Sequence, residues 1–177
     1  MTAEPTPAAP DDKDWTWVLD QPCPECRFDA ATVTGRDVPE LLRDAAARFQ
    51  NALTRPDAST RPSPDVWAPV EYGCHIRDVC LVFTERVEMM LSQDDPRFPN
   101  WDQDAAAIEG RYWAQDPAVV AVDLGNAAER AAGVFHQVRE DQWQRTGVRS
   151  NGSLFTVDSL GRYFVHDLLH HVHDVGG

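Results

Sequence analysis

Four stretches of this chain repeat apolar residues at helical spacing, while no stretch sustains the apolar–polar alternation of a strand. The first runs from about Val38 to Leu53, with Pro39 in its opening turn and Leu41, Leu42, Ala45, Phe49, Ala52 and Leu53 on one stripe. A second spans about Val70 to Leu91, a third about Pro117 to Glu140, and a fourth follows Thr156. Asp104–Arg111 reads as a short extra helix, and Gly147 to Phe155 as a hairpin or extended link around the Asn151-Gly152 turn pair. The economical architecture is all-α, an antiparallel four-helix bundle with an irregular N-terminal arm.

The fourth helix carries the chemistry. Four of six histidines fall between Tyr163 and Val175, interrupted by Asp167, Leu168, Leu169 and Val172, which keep an apolar stripe. Thr156 can cap this helix, and Asp158 suits the positive end of its dipole. At about 100° per residue, His166, His170 and His173 share a face, and His171 points elsewhere. Imidazoles four residues apart on a helix stand close enough to grip one divalent cation, so His166 and His170 are expected metal ligands.

Three protein ligands plus one open position make a catalytic metal site, so a third donor is needed from another helix. His75, near the start of the second helix, is the candidate. Glu71 and Asp78 stand at i−4 and i+3 from it, where a carboxylate can orient a ligating ring or take a proton. His173 is the nearest spare base. The alternative for Glu71 and Asp78 is an ordinary first-turn acid and a solvent-facing charge.

Residues 1–14, rich in proline, small residues and acids, read as a disordered arm, leaving 15–177 as one domain. Trp15, Trp17 and the Cys23-Pro24-Glu25-Cys26 turn are expected to pack across the outside of the bundle. Cys-x-x-Cys without a second such pair leaves three readings open: half a zinc site, a redox pair or a structural turn. No βαβ context supports the redox reading. If Cys23 and Cys26 hold a second metal, His171 is the extra ligand expected.

A chain of 177 residues can bury a single core, and 16 basic against 29 acidic side chains give a net charge of −13. That charge excludes the basic footprint that nucleic acid or an anionic membrane surface requires. No apolar run approaches the roughly 20 residues of a membrane span. The expected partners are a small-molecule substrate and, as a homodimer, a second copy of the chain. Four cysteines without a dense disulfide framework fit a reducing compartment, and the cytoplasm is the expected location.

The motif Trp67-x-Pro69-x-Glu71-x-x-x-His75-x-x-Asp78, followed about ninety residues later by His166-x-x-x-His170 with neighbouring His171, resembles the DinB-like superfamily. That superfamily includes YfiT-like metal-dependent hydrolases and thiol-dependent S-transferases. The resemblance covers about Val38 to Val175 and implies a four-helix bundle with one divalent ion, zinc or nickel, on the equivalents of His75, His166 and His170. The opening Trp-Val-Leu and Cys-Pro-Glu-Cys look like those of actinobacterial members, whose resident low-molecular-weight thiol is mycothiol. The resemblance therefore implies transfer of a mycothiol-type thiol to small electrophiles, with metal-dependent hydrolysis and metal binding without catalysis as alternatives. Family members often place an arginine and a glutamine after the histidine pair, where this chain has Val172-His173-Asp174.

Overall fold

A computed structural model describes residue 8 and residues 13–177. Most of the arm expected at 1–14 lies outside the described residues. Among the described residues five α-helices follow one another as α1 (Val38–Leu53), α2 (Pro69–Ser92), α3 (Gln103–Glu109), α4 (Pro117–His136) and α5 (Val157–Asp174). A two-stranded hairpin, β1 (Thr146–Val148) and β2 (Leu154–Thr156), precedes α5. Its turn uses Gly152 at φ 92°, a left-handed conformation that costs glycine nothing.

Helices α1, α2, α4 and α5 form the bundle, with α4 and α5 each packed on both α1 and α2. Residue pairs fix the directions. Arg43 meets Glu129 and Gln50 meets the Ala121 carbonyl, so α1 and α4 are antiparallel. Glu88 meets Arg130, while Gly73 lies against Val120, so α2 and α4 run parallel. His75 faces His171 and Phe83 stacks on Phe164, which sets α5 antiparallel to α2. The parallel α2–α4 pair needs a return connection, supplied by residues 93–116 with α3 inside it.

The core follows the apolar stripes. Leu42, Ala45 and Phe49 of α1, Ile76, Val79, Phe83 and Val87 of α2, Leu124, Ala128 and Phe135 of α4, and Leu160, Phe164, Leu168 and Val172 of α5 are buried in one cluster. Leu41, on the edge of the α1 stripe, is only partly buried. Burial of this kind is worth about 1.5–3 kcal/mol for each large aliphatic or aromatic side chain. Gly161 permits a close approach of α5 to α1 and α4. A Cβ there would stand 2.8 Å from Phe135 Cε1 and 3.0 Å from Val38 Cγ2.

The N-terminus of α5 is fixed by its own sequence. Thr156 Oγ1 accepts from the Ser159 amide at 3.0 Å, capping the helix. Asp158 accepts from the Gly35 amide at 2.7 Å and pairs with Arg162, tying the helix start to the segment before α1. The Asp158–Gly35 contact ties one face of α5 to the segment before α1.

Candidate metal centre

The α5 sequence sets His166/His170 and Asp167/His171 at i,i+4 spacing, the two pairs offset by one residue. One residue is about 100° of helix rotation, so the pairs serve different neighbours. Asp167 and His171 turn toward α2 and form a group with His75. His166 and His170 turn toward the N-terminal segment and form a group with Cys23 and Cys26. The three histidines expected to share one ion are thus divided between two groups. His171, expected beside the cysteines, sits with His75.

In the α2-facing group, Asp167 Oδ1 lies 3.7 Å from His75 Nε2 and 3.3 Å from His171 Nε2. An ion with bonds of roughly 2.0–2.1 Å in tetrahedral geometry sets its ligands about 3.4 Å apart, so the spacing suits a shared cation. On the far side of the ring, His171 Nδ1 meets Asp174 Oδ2 at 2.8 Å, which orients the imidazole as a carboxylate does behind a ligating histidine. Trp101 stacks over His75 with ring centroids 5.6 Å apart, and Trp67 lies 5.5 Å away. His75 is 2 % exposed, and its Nδ1 has no hydrogen-bond partner among the described residues.

The electrostatics of this group favour a cation. Burial pushes His75 below the usual imidazole range. Burial also works against a charge on His171, but Asp167 and Asp174 outweigh it and hold His171 up at about 9. Burial works against the Asp167 carboxylate in turn, and the imidazoles of His171 and His75 hold it well below the usual range. At neutral pH a proton therefore sits among these carboxylates where a divalent ion would compensate them more fully.

In the other group, Cys23 Sγ lies 3.7 Å from His170 Nδ1. His166 is 3 % exposed, and its Nε2 is buried without a partner among the described residues. Burial drives His166 down to about 4, with His170 adding to the effect, and lowers His170 as well. Trp15 covers the pair, its ring 4.8 Å from His170 and 5.5 Å from His166. All four cysteines are free.

Both groups border a cavity of about 490 Å³. Trp15, Trp67, Trp101, Phe83 and Tyr163 give it aromatic walls, and Arg86 and Arg149 give it a cationic region. Arg86 is 8 % exposed and stands over the Phe83 and Phe98 rings. Burial pulls its pKa down to about 10, and Arg149 adds to the effect.

The residues expected to assist the metal have other partners. Glu71 is held by Arg61 Nε at 2.7 Å and accepts from the Ala68 amide at 2.9 Å, capping α2. Asp78 is bound by Arg77 at 2.7 Å and accepts from the Tyr112 hydroxyl. His173 is exposed on the last turn of α5, outside the cavity lining. Asp167 was readable as a donor only by giving Asp-x-x-x-His the same weight as His-x-x-x-His in the same helix.

A family model described as the DinB superfamily matches residues 39–175, all four bundle helices. The chain belongs to the DinB superfamily. Among solved structures, this DinB-superfamily chain is similar to YfiT from Bacillus subtilis, described as a probable metal-dependent hydrolase with an unusual four-helix bundle topology. The TM-score is 0.70 at 17 % identity, over 78 % of this chain and 82 % of that one. No curated protein matches the sequence. No helix among the described residues is long and apolar enough to cross a membrane.

Proposed function

We propose that this DinB-superfamily protein is a metal-dependent enzyme whose ion is held by His75, Asp167 and His171, and whose reaction transfers a low-molecular-weight thiol of the mycothiol type to a small electrophile. The observation that carries the reading is the position of that donor set on a cavity of about 490 Å³. An ion held only for storage needs no adjoining space of that size, whereas a thiol and an electrophile together do.

Two imidazoles and a carboxylate fit zinc or nickel. Such an ion supplies the Lewis acidity that turns a thiol, or a water, into a nucleophile at neutral pH. The chain's own residues prepare the place. Asp174 fixes the His171 ring through Nδ1 and leaves Nε2 toward Asp167. Trp67 and Trp101 hold the His75 ring and exclude water from it. Arg86 and Arg149 offer guanidinium donors to an anionic group on the thiol or its acceptor. Four free cysteines suit a reducing compartment such as the cytoplasm.

Hydrolysis is the second reading, favoured by the likeness to YfiT. One assay separates the two. Zinc- or nickel-loaded protein is incubated with a chromogenic electrophile carrying an ester, with and without a low-molecular-weight thiol, and both the conjugate and the hydrolysis product are measured. Conjugate formation that depends on metal, thiol and Asp167 supports transfer. Ester cleavage that ignores the thiol supports hydrolysis, and neither product above the Asp167→Ala background opposes both.

A further inference from the structure

The cluster of Cys23, Cys26, His166 and His170 has no part in the chemistry above. All four offer ligand atoms within 4.8 Å of one another, and Cys23, His166 and His170 are buried. The cysteines come from one tight turn, closed by the Arg27 amide on the Cys23 carbonyl at 2.9 Å and the Cys23 amide on the Phe28 carbonyl at 2.8 Å. The histidines come from successive turns of α5. Two elements far apart in sequence therefore bring two sulfur and two nitrogen donors to one point.

We infer that Cys23, Cys26, His166 and His170 form a second, structural metal site of the zinc type that staples the N-terminal segment to α5. Two thiolates and two imidazoles are a complete tetrahedral set for zinc, leaving no open position. The Sγ–Nδ1 spacing of 3.7 Å is close to the roughly 3.6 Å edge expected with Zn–S of about 2.3 Å and Zn–N of about 2.0–2.1 Å. His166 supplies the independent sign, an imidazole 3 % exposed whose Nε2 lacks a hydrogen-bond partner among the described residues and would otherwise be a desolvated, unsatisfied polar atom. Binding replaces the two thiol protons, which leave to solvent, and changes no oxidation state.

The staple gives the cavity one of its walls. Trp15 and Glu25 line the cavity, and both lie in the segment that the cysteines anchor. Glu25 Oε2 is 3.5 Å from His170 Nε2, on the ring edge away from Cys23.

Cobalt(II) titration of the reduced, full-length protein tests the site independently of the reaction. We expect two equivalents bound, with a near-ultraviolet thiolate-to-cobalt charge-transfer band and strong visible bands of tetrahedral cobalt. In Cys23→Ser/Cys26→Ser the thiolate band disappears and one equivalent is lost. Cys26→Ser, at the more exposed of the two positions, keeps the packed Cys23 and reduces the band to about half. His75→Ala keeps the full band while losing the other equivalent, so failure of the proposed catalytic centre and failure of the staple look different. A parent protein without the thiolate band, or a band that survives in Cys23→Ser/Cys26→Ser, overturns the proposal.

Discussion

His75 Nε2 of α2 lies 3.7 Å from Asp167 Oδ1 of α5, joining the two helices at the edge of the cavity. Asp158 ties the start of α5 to the Gly35 amide before α1, and in that docking the 167/171 face of α5 meets α2. The same docking turns 166/170 toward the N-terminal segment.

Glu71 belongs to the scaffold. Its carboxylate, 1 % exposed, is committed to Arg61 and to the amide of Ala68, the residue that caps α2. Glu71→Ala takes the carboxylate from the Arg61 guanidinium and the cap from the start of α2, at a cost of about 3 kcal/mol. Urea unfolding is expected to show that loss, while elemental analysis finds the metal content unchanged. Loss of metal without loss of stability would return Glu71 to the site.

Tyr112 is fully buried and donates to Asp78, and burial followed by that hydrogen bond raises its pKa far above the ordinary value of about 10. A group raised in the folded state contributes stability that is complete below its unfolded pKa and lost as pH rises above it. Stability measured by urea midpoint should therefore hold up to about pH 10 and fall beyond it. Tyr112→Phe should lose about 1–2 kcal/mol at pH 7 and show a shallower alkaline decline. An alkaline limb equally steep in both proteins would assign the decline elsewhere.

Much of this was legible in the sequence. The α1 limits, the Thr156 cap and the Asn151-Gly152 turn all follow from local rules that the tertiary structure did not override. The parallel pairing of α2 with α4 was not legible, because the connection through residues 93–116 carries no signal of where it returns. The division of the histidines was hidden for a related reason. Periodicity gives relative directions on α5, whereas the assignment of each face depends on its docking against α2 and the Trp15–Ala30 segment. Glu71 and Asp78 shared a face with His75 by spacing, yet Arg61, from the loop before α2, claimed Glu71, and Arg77 and Tyr112 claimed Asp78.

Gly161 tests the helix packing. Gly161→Ala places a methyl group 2.8 Å from Phe135 Cε1 and 3.0 Å from Val38 Cγ2, both in the core. The helix gains propensity, but overpacking dominates, with a net loss of about 1–3 kcal/mol. Thermal or urea unfolding checks the sign, and a stabilised variant would show that α1 and α4 yield at this crossing.

Arg86 tests the cationic region of the cavity. A charged hydrogen bond is worth about 1.5–3 kcal/mol, so Arg86→Met is expected to raise KM for a carboxylate-bearing electrophile about tenfold or more. KM for a neutral analogue should stay within about twofold. Equal effects on both substrates would mean that Arg86 acts by packing against Phe83 and Phe98.

Anomalous diffraction from a crystal of the zinc-loaded protein, recorded on both sides of the zinc edge, tests the assignment of donors most directly. The predicted result is two peaks, one among His75, Asp167 and His171 and one among Cys23, Cys26, His166 and His170. A single peak coordinated by His75 together with His166 and His170 would contradict it.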